Sequence, residues 1–353
     1  MKTALTHRFG IEHPIMSAGM ARVAQAPLVI AVSEAGGMGC LGGVSYLADA
    51  LRDEIRTIRS RTTKPFAVNL LVPPSLVDDD AASWEPVRRL WQSLSVADRE
   101  KLRGVEPLLT PGAVAQQVEV VLEERPAAVV LTFDVPDWFV TACHERDIAV
   151  IALVGSVGRA QQAEIAGAEF IVAQGTEGGG HTGHVSTMVL LPSVVDTVSV
   201  PVLAAGGIVD GRGLAAARCL GAHGVWMGTR FIASDEAFGH RAYKDRLIAA
   251  SSKDTTLSRA YTGKPLRTLQ NDWTREWLAR DGEIQPFPAQ YAVAGTRVET
   301  GYQDGDLQQG MMPAGQAIEI LHQIQPAGDI VRAIVADADR ILRDVVSSGL
   351  GSR

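Results

Sequence analysis

Apolar residues fall in short, nearly unbroken runs, and most of the runs are followed by a segment of helical character. HPIMSA at 13–18 comes first, ahead of the helix-like APLVIAVSEAG. MGCLGG at 38–43 precedes a charged amphipathic stretch from Leu47 to Arg61. FAVNLLV at 66–72 is third, and a long polar region of helical pattern follows at about 80–124. AAVVLTF at 127–133 and IAVIALV at 148–154 are separated by DWFVTACHERD. EFIVAQG at 169–175 follows RAQQAEIAGA, VPVLAAGG occupies 200–207, and GVWMGTRF at 224–231 follows GRGLAAARCLGA. Runs continuous in Val, Ile, Leu and Ala mark strands buried on both faces, and hence a parallel sheet.

Eight such β–α units predict an α/β fold of the (β/α)8 TIM-barrel type. An open doubly wound sheet is the alternative. The similar crossovers, with no midpoint switch, favour closure. After Phe231 the pattern changes to a segment rich in Arg, Trp and Pro, and the chain ends in the helical AGQAIEILHQIQPAGDIVRAIVADADRILRDVV. Residues 1–234 are therefore expected to form the barrel. Residues 235–353 are expected to be a helical excursion beside the barrel mouth, completing the barrel and covering its active-site face.

Composition narrows the function classes. The chain has 353 residues, 46% hydrophobic and 21% charged, with a net charge of -7. These values suit an ordinary globular protein and give no basic face for nucleic acid. The densest basic stretch, LRDEIRTIRSRTTK, is interrupted by Asp53 and Glu54 and reads as a solvated helix face. Cys40, Cys143 and Cys219 are far apart, without a CxxC, so neither a zinc ribbon nor a disulfide framework is expected. The N-terminal MKTALTHRFGIEHPIM lacks the apolar core of a signal peptide. No run approaches the ~18 apolar residues of a membrane span. The expectation is a cytoplasmic protein acting on a small molecule, with its oligomeric state left open.

A barrel carries its chemistry at the C-terminal ends of its strands. Asn69 sits in the third run, and the sixth ends in Gln174 before the loop TEGGGHTGH. A buried amide side chain must find partners, and a planar heterocycle with several donors and acceptors supplies them. The plainer reading of Asn69 is a contact to loop backbone. Gly206 and Gly207 end the seventh run, and Gly228 and Thr229 lie within the eighth. Bare glycine N–H groups at these two strands are where barrels bind phosphate. A tight turn alone would explain either pair singly.

Two motifs are set aside. GMGCLG, Gly37 to Gly42, matches a dinucleotide fingerprint, but it follows a helix and runs into a strand, with no acid at the required distance. His181 and His184 form H-x-x-H without an intervening Glu or an evident third ligand, so no metal is expected. An acid–base histidine needs only reach to one substrate proton. His181, directly on the glycine turn, is preferred over His184. Glu177 either orients the loop or is mere surface charge, and the latter is preferred.

Together these segments resemble the FMN-dependent nitronate monooxygenases, formerly called 2-nitropropane dioxygenases. IMSAGMARVAQAPLVIAVSEAGGMGCLGG, FAVNLLVP, AQGTEGGGHTG, VPVLAAGGI and VWMGTRF are similar to that family's signatures, in order, as are AYTGKPLRT and MPAGQA. The resemblance spans about residues 10–335 and implies FMN at the barrel mouth and oxidation of alkyl nitronates by O2 to carbonyl compounds and nitrite. It implies His181 as the catalytic residue. It implies Ala18, Gly19, Met20, Asn69, Gln174, Gly179, Gly180, Gly206, Gly207, Met227, Gly228 and Thr229 as flavin contacts. The flavin-dependent enoyl-acyl carrier protein reductases and NAD(P)H:quinone reductases share the Gly-Gly-His element and supply the alternative, an NAD(P)H-dependent flavin reductase. A barrel isomerase or phosphate-ligand binding protein without flavin is the further rival. Four departures stand out. Gly19 replaces the usual Pro, which implies a looser first loop. Gly178 replaces Ala, Trp226 replaces a smaller or polar residue, and Asp134 lies where the family has a small or apolar residue.

Overall fold

The computed structural model describes residues 1–72, 111–287 and 289–349. In chain order its first strands are β1 (Ile15–Ser17), β2 (Gly39–Leu41), β3 (Phe66–Leu71), β4 (Ala128–Thr132), β5 (Ala149–Val154) and β6 (Phe170–Gln174). A two-residue β7 (Gly180–His181) precedes β8 (Val202–Ala205) and β9 (Gly224–Met227). All of these except β7 form an eight-stranded parallel sheet in the order β1-β9-β8-β6-β5-β4-β3-β2. The two edges meet. Met38 N–H donates to Ile15 O at 2.9 Å and Ser17 N–H to Met38 O at 3.1 Å, closing the barrel. The open-sheet alternative is thereby removed.

Alternate side chains explain why the runs read as continuous. Ala128 and Val130 of β4 point into the barrel with Met16, Ile151, Val172 and Leu203, while Val129 and Leu131 join the outer layer under the helices. Burial on both sides removes the polar positions that alternation would need. The outer ring consists of α2 (Ala26–Glu34), α3 (Ala48–Arg61), α4 (Pro111–Glu124), α5 (Asp137–His144), α6 (Val157–Ile165), α7 (Thr187–Val195) and α8 (Gly211–Cys219). An N-terminal α1 (Ala4–Phe9) plugs the opposite end of the barrel with Leu5 and Phe9, whose ring lies 5.6 Å from that of Phe170.

Three details differ from the pattern-based reading. The eighth run is strand only to Met227, because Gly228 breaks it and α9 (Thr229–Ile232) begins at once. The helical region expected at about 80–124 is seen as α4 from Pro111, and the rest lies outside the described residues. The C-terminal excursion includes α10 (Arg241–Ala249), α11 (Asp272–Ala279), α12 (Ala289–Ala294) and α13 (Arg297–Gln303), but also β10 (Thr255–Ser258) and β11 (Leu266–Leu269). These strands pair antiparallel with each other, and β11 pairs with β7. The final helix, α14 (Ala327–Gly349), returns to the ring and packs on α8 and α2. Among the described residues no helix is long and apolar enough to cross a membrane.

Ile330 of α14 is 2% exposed and belongs to the same apolar layer as the barrel helices. Ile330→Ala is expected to destabilise the whole chain by about 3 kcal/mol. Urea unfolding followed by barrel and tail probes should show one shifted transition. Movement of the tail probe alone would show that the tail folds separately.

Candidate active site

The C-terminal ends of the strands surround a cavity of about 310 Å³. Ala18, Gly19, Met20, Asn69, Gln174, Gly179, Gly180, His181, Gly206, Gly207, Gly228 and Thr229 all line it. Met227 does not. Its side chain lies in the outer layer, 1% exposed, and its carbonyl accepts from Ala18 N–H at 2.8 Å. Met227 thus fixes the first loop through its backbone. His184 is exposed and outside the cavity wall. Among the described residues no group of three or more His, Cys, Asp or Glu side chains is arranged to hold a metal.

The strand-end amides are held by their own donors. Asn69 Nδ2 donates to Val130 O at 2.9 Å and to Thr132 Oγ1 at 3.0 Å. Gln174 Nε2 donates to His181 O at 2.7 Å. Among the described residues no group donates to the carbonyl oxygen of either amide, so each keeps an acceptor for a ligand. Gly19 lies against the first of them. A Cβ there would sit 2.3 Å from Asn69 Cβ and 2.9 Å from Cys40 Sγ, so the glycine brings the loop close to β3 and does not loosen it.

The glycine loop is gripped from both sides. Glu177, read from sequence as surface charge, instead accepts from Thr187 N–H at 3.0 Å and from Thr187 Oγ1 at 2.9 Å, tying the loop to the first turn of α7. On the other side β11 pairs with β7, placing Leu266 opposite His181 and Arg267 opposite Gly180. The buried Arg267 donates through Nε to Thr176 O at 2.8 Å. Gly179 passes so close to the Ala314–Gly315 backbone that a Cβ would lie 2.8 Å from it. Gly315 N–H in turn donates to Thr229 Oγ1 at 2.9 Å. The AYTGKPLRT and MPAGQA segments therefore shape the site.

His181 Nε2 is hydrogen-bonded to the buried Thr262 Oγ1 at 2.9 Å, and Nδ1 has no partner among the described residues. Phe133 stands edge-on to the imidazole, with ring centroids 5.3 Å apart. Its φ of 78° is unusual for a bulky residue. Burial, reinforced by the Lys264 ammonium, pushes the imidazole down to about 4, so it is uncharged near neutrality. Asp134 is outside the cavity wall and pairs with Arg159 at 3.1 Å. Trp226 lines the cavity floor. Beyond the residues expected from sequence, the C-terminal excursion supplies Tyr243, Thr262, Phe287, Tyr291, Glu299 and Tyr302 to the wall. Glu299 pairs with Arg22 at 2.8 Å, joining the first loop to α13.

The site is thus a cavity at the barrel mouth with one uncharged histidine in its wall. The model of the nitronate monooxygenase family matches residues 2–337, and the chain belongs to that family. It is a flavin-dependent oxidoreductase. A Staphylococcus saprophyticus protein named "Probable nitronate monooxygenase" is 32% identical, covering 97% of this chain and 99% of its own. Among solved structures, FabK from Thermotoga maritima is 32% identical with a TM-score of 0.82, over 99% of each chain. The nitroalkane oxidase from Streptomyces ansochromogenes is 28% identical with a TM-score of 0.82, over 98% of this chain and 100% of that one.

Two measurements check this geometry. An NMR titration of His181 should give a midpoint near 4 instead of the ordinary 6.5. Between those values the unfolded chain binds more protons than the folded one, so stability should fall as pH drops from 6.5 towards 4. A midpoint above 6 would contradict the buried placement. Glu177→Ala should cost about 1–2 kcal/mol in urea unfolding, through loss of the helix-end contacts. A neutral result would return Glu177 to the surface.

Proposed function

We propose that the enzyme oxidises alkyl nitronates with FMN as cofactor and O2 as oxidant, giving carbonyl compounds and nitrite. The observation that carries this reading is the neutral His181, fixed by Thr262 at the wall of a cavity whose strand-end amides keep acceptors for a ligand. A flavin fits these residues. Asn69 and Gln174 offer the acceptors that a heterocyclic N–H needs, and the apolar side chains of Ala18, Leu71 and Leu153 line the cavity beside them. Gly179, Gly180, Gly206, Gly207, Gly228 and Thr229 would hold the phosphate through backbone N–H groups and one hydroxyl. Ala18, Gly19 and Met20 would lie along the ring, fixed by the Met227 carbonyl. When bound, FMN supplies the redox step, taking electrons from the substrate and passing them to O2.

Burial and the Lys264 charge keep the imidazole uncharged, and Thr262 fixes its Nε2, which suits it to orienting a substrate. The likeness to FabK supports a second reading within the same fold, an NAD(P)H-dependent flavin reductase.

Anaerobic stopped-flow mixing separates the two. Propyl-2-nitronate should bleach the flavin rapidly, with NADH and NADPH much slower. The reverse order would establish the reductase. His181→Asn should retain the yellow colour while kcat/KM for the nitronate drops about 100-fold. Full turnover by that variant would remove His181 from the reaction.

A further inference from the structure

The cavity wall holds little charge for an anionic substrate to meet. Arg22 and Glu299 neutralise each other at 2.8 Å, Glu177 is committed to Thr187, and His181 is uncharged near neutrality. An anion leaving water for such a cavity needs a compensating cation. Lys264 lies behind the wall, outside the lining itself, and is placed to supply one through two of its rings. Its Nζ lies 3.7 Å from the centroid of the Phe133 ring and 4.8 Å from that of Phe287, and both rings line the cavity. The ammonium is half-buried, yet it makes no ion pair and no side-chain hydrogen bond among the described residues. Asp134, which acts on it electrostatically, is already held by Arg159 at 3.1 Å. Two ring faces stabilise the half-buried cation without cancelling its charge, as a carboxylate would.

The same turn fixes the cation and the histidine. Thr262 Oγ1 bonds His181 Nε2 at 2.9 Å, accepts from Lys264 N–H at 3.3 Å and reaches Lys264 O at 3.2 Å. Phe133 completes the link, with its ring 5.3 Å from the imidazole. The left-handed φ of 78° at Phe133 is maintained where that ring meets both groups.

We propose that Lys264 is the electrostatic positioning residue for the substrate's oxyanion, acting across the Phe133 and Phe287 rings to hold a small planar anion beside His181. This rests on the nitronate reading for the reaction, but not for the anion site. The charge sets KM for anionic substrates more than kcat. Its positive sign also helps to keep the imidazole neutral, with burial the larger cause.

The test uses the flavin-loaded enzyme, with nitrate as a planar anion that cannot turn over. Nitrate is titrated against the His181 NMR signal in wild type, Lys264→Arg, Lys264→Met and, as a second neutral variant, Lys264→Gln. The nitrate Kd should rise about tenfold in the neutral variants and stay near wild type in Lys264→Arg. In parallel, KM for propyl-2-nitronate should rise about tenfold while its kcat changes much less. Equal nitrate affinity in all four proteins, or no saturable nitrate binding by the wild type, overturns the assignment. Lysine-dependent nitrate binding without any nitronate oxidation leaves the anion site standing and sinks the reading of the reaction.

Discussion

Everything at the barrel mouth depends on the pairing of two residues of the glycine loop with a strand from the C-terminal excursion. Gly180 and His181 take Arg267 and Leu266 as partners, and the turn before β11 brings Thr262 to the imidazole. A loop with three successive glycines has little stiffness of its own. Here it is fastened at Glu177 to α7, at Gly180 and His181 to β11, and at Gly179 against the Ala314–Gly315 backbone. The glycines give close approach, and the surrounding contacts give order.

The same fastening controls charge. Bringing the excursion over the mouth buries His181 and places Lys264 near it, and both effects lower the imidazole pKa. The histidine is thereby held uncharged, with its Nε2 fixed by Thr262. Orientation by a fixed hydrogen bond and stabilisation by a fixed charge are the contributions a protein adds to cofactor chemistry.

Much of the fold was legible in the chain. Strands buried on both faces leave continuous apolar runs, and all eight barrel strands lie at such runs. Strand-end residues such as Asn69 and Gln174 stood out because amides rarely interrupt such runs. The excursion was harder to read. β7 has only two residues, and its partner β11 lies more than eighty residues away in sequence, so no periodicity marks either strand. Thr262 and Lys264 were missed, and Glu177 was read as surface charge over loop orientation, for a related reason. Their partners are brought to them by tertiary packing, and alone each looks like an ordinary loop residue. Met227 neighbours the glycine turn in sequence, while its side chain faces the helices.

A flavin seated between the glycine loop and the strand ends would give the protein a colour of its own. The most direct check is an absorbance scan of the purified protein, followed by mass determination of the chromophore released by acid. Flavin bands and FMN are the expected result. A colourless protein that remains colourless after FMN is added would contradict it.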